Sequence, residues 1–255
     1  MNAEPGTHGP HRFTRTELLL GRQGLERLDK ARVTVVGLGA VGSYAVEGLA
    51  RAGVGRLRLV DFDEVRLTNI NRQLYALEST LGQPKAEVAR ARVLDINPHL
   101  RVECLKVFVD AETVGSVLAP PPDLLIDAID SVGPKVELIA AAVGAGIPII
   151  SVMGAASRRD PAAIRCGDVS QSRNCPLARH IRKRLRERGI ASGVTCIYSC
   201  EPAAEMSAAA ENVAEEDEVL ERGRKRRPIG SLSTLTGIFG LWAATEAIRV
   251  LTTQP

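Results

Sequence analysis

Apolar runs of four or five residues recur through the first 150 positions, separated by longer stretches whose apolar residues return every three or four places. The first pattern marks strands buried on both faces and the second marks helices laid across them. Strands are expected at Arg32–Val36, Arg56–Val60, Arg101–Val107, Leu124–Ala128 and Pro148–Val152. Helices are expected at Arg12–Leu28, Val41–Ala52, Pro84–Asp95 and Lys135–Gly144; the third opens on a proline, whose missing N–H costs nothing at a first helical position. Such alternation implies an α/β fold: a Rossmann-like, mostly parallel sheet with helices on both faces. After about Gly154 the pattern loosens into a strand near Ala163–Cys166, a helix at Pro176–Arg188, a strand near Val194–Tyr198 and a closing helix at Ser233–Leu251. The late stretch Gly230–Leu251 is strongly apolar, but Glu246 and Arg249 interrupt it, so it reads as a buried helix and not a membrane span. Residues 1–11, rich in Gly, Pro and His, read as a flexible tail. Residues 12–255 read as a single domain, with a regular core at 30–153 and a less regular, substrate-facing part at 154–255.

Composition narrows this little. The 255 residues are 45% apolar and 25% charged, which is ordinary for a folded chain and argues against disorder or a collagen-like repeat. Eight aromatic residues are too few for a surface that stacks single-stranded bases, so contact with nucleic acid would run through charge. The net charge of +3 names no partner, but its distribution is uneven: six Lys/Arg against one Glu lie between Arg179 and Arg188, five lie in Arg222–Arg227, and Glu201–Glu221 is acidic. Five cysteines without a disulfide framework suit a reducing cytosol, and the N-terminus carries no long apolar run of a secretory signal.

Chemistry enters at Gly37-Leu-Gly-Ala-Val-Gly42, a GxGxxG between an expected strand and an expected helix. Gly37 permits a tight turn, Gly39 lets backbone approach a phosphate, and Gly42 lets the helix pack close to the strand; the helix N-terminus then offers amides to an anion. Asp61 follows 19 residues after Gly42, at the end of the second strand, where its carboxylate can accept from ribose hydroxyls. These features fit NAD as well as ATP. The residues downstream favour ATP: a polar cluster runs from Asp61 to Gln73, Lys85 follows, and the fourth strand ends in Asp127-Ala-Ile-Asp130. A triphosphate needs cations and a carboxylate to place Mg²⁺, and Arg72, Lys85 and Asp130 supply both. A dehydrogenase gives those three no joint task.

GxGxxG, the pair Asp61 and Asp63, Thr68-Asn-Ile-Asn-Arg-Gln73, the following Lys85 and Asp127-Ala-Ile-Asp-Ser131 resemble the ThiF/MoeB/HesA superfamily of ATP-dependent adenylating enzymes, relatives of the ubiquitin-activating enzymes, over about Arg12–Ser151. Within it, Leu67–Ala76, Asp127–Lys135, Asp95-Ile-Asn-Pro98 and Arg227-Pro-Ile-Gly-Ser231 resemble the tRNA threonylcarbamoyladenosine dehydratases. Sulfur-carrier adenylyltransferases of the MoeB and ThiF type usually carry two CxxC zinc pairs. Here Cys166 and Cys175 are nine apart, Cys196 and Cys200 four apart, and no CxxC occurs. The basic blocks also suit a polyanion better than a small protein tail. Such an adenylyltransferase, and a nucleotide-regulated tRNA-binding module without catalysis, are the alternatives.

The resemblance implies ATP and Mg²⁺ as cofactors and adenylation of a threonyl carboxylate on tRNA. It places Asp61 on the ribose, Asn69, Arg72 and Lys85 on the phosphates with Gln73 and Asp63 near them, and Asp130 on Mg²⁺. It places Arg15, or else Arg12, in the nucleotide site of the partner subunit of a homodimer. It admits a sulfur-transfer protein as a further partner and implies a cytoplasmic enzyme. Arg179, Arg182, Lys183 and Arg186 can share one helix face and are the candidates for the tRNA backbone, with Arg224–Arg227 as a second group. Asp127 reads as a strand-end carboxylate capping the next helix, and Cys196 as a buried structural thiol.

Overall fold

In the computed structural model, which describes residues 11–202 and 229–253, seven strands form one sheet in the order β3-β2-β1-β4-β5-β7-β6. They are β1 (Arg32–Val36), β2 (Arg56–Val60), β3 (Arg101–Leu105), β4 (Leu124–Asp127), β5 (Ile149–Val152), β6 (Ile164–Asp168) and β7 (Thr195–Ser199). All pairs are parallel except β6 with β7. Among the described residues seven α-helices accompany them: α1 (Thr14–Lys30), α2 (Gly42–Ala52), α3 (Lys85–Ile96), α4 (Val114–Leu118), α5 (Val132–Gly144), α6 (Pro176–Glu187) and α7 (Ser233–Thr253). The expected tail at 1–11 falls almost wholly, and the blocks at 203–228 wholly, outside the described residues.

The two-residue period of the strands divides the core in two. Val33 and Val35 of β1, Leu57 and Leu59 of β2 and Leu124 and Ile126 of β4 pack on one face, against α2, α3 and α7. Val36, Val60 and Leu125 turn to the other, against α4, α5 and α6. Buried strands of continuous Val, Leu and Ile are what a sheet covered on both sides requires. The long apolar C-terminal segment is α7, buried through Phe239, Ala243 and Ala247. Among the described residues no helix is long and apolar enough to cross a membrane.

Several boundaries move for identifiable reasons. Helix α5 begins at Val132 rather than Lys135, because Pro134 falls in its first turn, where its ring and missing N–H are tolerated. Helix α1 is broken at Gly21, whose φ of 72° no helix contains. The short α4 had no periodicity long enough to announce it. The antiparallel direction of β6 depends on its connection to its neighbour, which the composition of a strand does not encode.

Candidate functional site

The carboxyl ends of β1, β2 and β4 are tied together by backbone bonds: Gly37 N donates to Val60 O and Ala128 N to Val36 O, each at 2.8 Å. The glycine turn sits in that junction, and two of its glycines are required by packing. A Cβ on Gly37 would lie 2.8 Å from Ala128 O, and one on Gly42 would lie 1.7 Å from Gly37 O. Gly39 differs. A Cβ there would meet only the Gln73 amide, at 3.6 Å, so nothing in the protein demands glycine at this position. What a missing side chain provides at Gly39 is room for something outside the chain. No side chain caps the first turn of α2 behind it.

Asp61 is almost wholly buried and braces the turn: Leu38 N donates to its Oδ2 at 2.6 Å and Asp63 N to its Oδ1 at 2.8 Å. Burial pushes its carboxyl above the usual range, against the pull of the Lys85 charge. A carboxylate has about four acceptor sites, so this bracing leaves capacity for ribose hydroxyls. Residues 63–65 run beside 82–85, with Lys85 N bonded to Asp63 O at 3.0 Å and Val65 N to Gln83 O at 2.9 Å. That pairing brings Lys85, only 5% exposed at the start of α3, to an ion pair of 3.0 Å with Asp63.

The third wall is the turn at 66–75. Asn69 is buried, and its Oδ1 accepts from Arg66 N at 3.2 Å. The backbone carbonyl of Asn69 accepts from the amides of both Arg72 and Gln73. Asn69 therefore helps shape the turn through its side-chain oxygen and its carbonyl. The half-buried Arg72 donates from Nη1 to Thr68 O and Asn71 Oδ1, at 2.8 and 2.9 Å. Ser43 of α2 anchors the segment by accepting from Leu74 N through Oγ and from Tyr75 Oη through its carbonyl, each at 3.2 Å. Asn71 Nδ2 reaches Ser231 O at 3.4 Å, so two of the short motifs noted in the sequence meet here. The exposed Asp130 follows β4, the immediate neighbour of β1. Among the described residues no three His, Cys, Asp or Glu side chains converge on a point suited to a metal. Mg²⁺ held by one carboxylate and phosphate oxygens needs no such cluster, and Asp130 at this edge fits that mode.

Elsewhere, α6 buries Ala178, Ile181 and Leu185 and turns Arg179, Lys183 and Arg186 to solvent beside a shallow groove. Arg182, on the same face, is half-buried and donates to Ser172 O at 2.5 Å and to Ser172 Oγ, which ties it to its own chain. Arg15 is exposed on α1, whereas Arg12 donates to Ile96 O at 2.7 Å and closes the C-terminus of α3.

A model of the ThiF family matches residues 13–255. The chain belongs to the ThiF family. It is 46% identical over 191 residues to a tRNA threonylcarbamoyladenosine dehydratase of Bacillus subtilis, covering 75% of each chain. It is 36% identical to one of Escherichia coli over 93% of this chain and 92% of the other. The crystal structure of an E. coli tRNA N6-threonylcarbamoyladenosine dehydratase in complex with ATP superimposes with a TM-score of 0.82 at 34% identity, covering 94% of this chain and 93% of that one.

Against this family background two expectations change or sharpen. Asp127 does not cap α5, whose N-cap is Ser131 with no side-chain cap bond; it is wholly buried and ion-paired at 2.9 Å with Lys135, also wholly buried. The sequence singled out Lys135 only as part of a motif, because a spacing of eight between a strand end and a helix has no recognisable period. Cys196 is buried, and burial pushes its thiol up to about 12, which keeps it protonated and unsuited to attack.

Proposed function

We propose that this ThiF-family chain is an ATP-dependent tRNA threonylcarbamoyladenosine dehydratase. The observation that carries the reading is the wall at the carboxyl ends of β1 and β2, where Asp61 accepts from Leu38 N beside the open Gly39 and from Asp63 N, and Asp63 in turn pairs with the buried Lys85. Its support is the identity with dehydratases along nearly the whole chain.

In this reading the ATP ribose bonds Asp61, and the phosphates lie over Gly39 toward Lys85, Arg72 and Gln73, with Asp63 holding Lys85 in place. Asn69 keeps the 66–73 turn in shape. Asp130 would hold Mg²⁺, which would supply positive charge to offset that of the phosphates. The threonyl carboxylate of the modified adenosine attacks the α-phosphate; the bond to pyrophosphate breaks and an acyl-adenylate forms. The neighbouring carbamoyl group then attacks the acyl carbon, a proton is lost, and AMP departs with one of the original carboxylate oxygens. The net change in the base is loss of water. What the protein supplies is fixed positive charge where negative charge accumulates, in a site already shaped before the reaction.

The tRNA backbone lies along Arg179, Lys183 and Arg186, with Arg182 fixing the helix to Ser172. The second basic group, Arg224–Arg227, lies outside the described residues. Residues 30–153 form the nucleotide-binding core of one domain, and the described residues from 154 onward form its RNA-facing part. A homodimer accounts for Arg15, which serves the partner's site. The neighbouring Leu18 and Leu19, more than four fifths exposed, support an interface there. The enzyme is cytoplasmic, where its substrate is made, and a sulfur-transfer protein is a further partner. The test is incubation with tRNA bearing threonylcarbamoyladenosine and Mg-ATP, followed by mass analysis of the nucleosides. A product lighter by one water, with AMP released, is expected; unchanged nucleosides contradict the proposal.

A further inference from the structure

Asp127 and Lys135 form a wholly buried ion pair at the carboxyl end of β4. Taking two charges out of water is unfavourable, and a well-packed apolar pair often serves stability as well or better, so stability alone does not account for it. The remaining bonds of the pair converge on one short stretch. Asp127 Oδ1 accepts from Ile129 N at 3.0 Å, and Lys135 Nζ donates to Ile129 O at 2.8 Å. Both peptide groups of the residue before Asp130 are thereby fixed. Lys135 Nζ also reaches Asp127 O at 3.4 Å, and Ser151 Oγ, at the end of the adjacent β5, donates to Asp127 Oδ2 at 2.7 Å. The same stretch is the floor of the glycine turn: Ala128 O is the atom a side chain at Gly37 would strike, and Ala128 Cβ lies 3.3 Å from where a Cβ on Gly42 would stand.

We infer that Asp127 and Lys135 are positioning residues for the nucleotide site: the pair sets the path of residues 128–131, and through it both the floor beneath the phosphates and the placing of Asp130. The role given to Asp130 rests on the proposed function, whereas the bracing of the turn does not.

The test compares the intact chain with Asp127→Asn/Lys135→Met, which removes both charges at similar volume, and with Ser151→Ala, which removes one hydroxyl contact. Melting temperature, ATP affinity by calorimetry with and without Mg²⁺, and AMP formation are measured. The double variant is expected to melt within roughly 5 °C of the parent. Its Mg-ATP affinity should fall about 10-fold and its AMP formation about 100-fold, the scale of a small misplacement near reacting groups. Asp130→Ala added to the double variant should cost less than about a third of what it costs in the parent, because both lesions act on one geometry. Parental affinity and rate, a loss equal to the unfolded fraction, or an undiminished cost of Asp130→Ala would each overturn the inference. If the double variant does not fold, Ser151→Ala decides: a folded protein with weakened Mg-ATP binding supports the inference, and unchanged binding refutes it. A parent that binds ATP but forms no AMP contradicts the dehydratase reading alone, and the affinities still judge the pair.

Discussion

The wall at β1 and β2 and the outer face of α6 are made in opposite ways. At the wall, Asp61, Asn69 and Lys85 are all less than a tenth exposed, and each is held by backbone or by a neighbouring charge. On α6, Arg179, Lys183 and Arg186 stand in solvent. A buried polar group must be satisfied, so its geometry is set before any ligand arrives. An exposed cation contributes charge to a polyanion without a geometry fixed in advance. The first arrangement suits a reaction at one phosphorus atom, and the second suits holding a long polyanion in approximate register.

Substitutions that uncouple the two regions are the strongest way to break this contrast. Lys85→Ala should lower AMP formation by about 10²–10³-fold, or roughly 3–4 kcal/mol of transition-state stabilisation, while filter-binding affinity for tRNA stays within about twofold. A parallel loss of tRNA binding would mean that the regions are not separate. On the other side, Arg179→Ala/Lys183→Ala/Arg186→Ala should weaken tRNA binding at moderate salt by about 10-fold or more. It should also flatten the slope of log affinity against log salt by about 2–3, with the KM for ATP unchanged.

The glycines sharpen the contrast within the wall itself. Gly42→Ala forces a methyl group onto Gly37 O and should destabilise the fold by about 1–3 kcal/mol in denaturant titration. Gly39→Ala has space on the protein side, so it should leave the unfolding midpoint nearly unchanged and weaken ATP binding instead. Equal effects of the two on stability would remove the argument that Gly39 is reserved for a ligand.

The smallest effects concern the framework on each side. Burial works against the Glu47 carboxylate, but its bonds to Arg92 and Arg51 prevail and hold it below the usual range, linking α2 to α3. Its folded value being depressed, its stabilisation is present above the unfolded value of about 4.3 and is lost as the pH falls through the lower folded value. Glu47→Gln should therefore cost about 1 kcal/mol at pH 7, and the gap to the parent should close toward pH 3. The partly exposed pair of Glu137 on α5 and Arg188, the residue after α6, should contribute less, about 0.5 kcal/mol or under, in the same unfolding measurement.

What could be read from the sequence follows the same division. Strands β1 and β2 end where the runs Arg32–Val36 and Arg56–Val60 end, because glycine or a carboxylate stops each apolar run at the edge where ligands bind. Gly37 and Gly42 were legible because a close backbone approach leaves glycine at a fixed spacing. The contact between Asp63 and Lys85 was not: it arises from the way residues 63–65 lie beside 82–85, a pairing no local pattern announces. Nor was the role of Asp127, since its partner sits on α5 and its other contact on β5. Helical spacing makes Arg182 equivalent to its helix neighbours, whereas in the fold it alone of the four is bonded to Ser172, ten positions earlier. Helical spacing identifies which residues share a face, but not which of them a neighbouring loop engages.

On the proposed function, the nucleotide wall activates a carboxylate carried on RNA. ATP–pyrophosphate exchange tests it most directly, run in parallel with threonylcarbamoyl-modified tRNA, with the same tRNA lacking that group, and with a small carrier protein ending in Gly-Gly. Exchange that requires the modified tRNA is the predicted result. Exchange supported by the carrier protein and not by the tRNA would contradict the account and assign the site to sulfur-carrier activation.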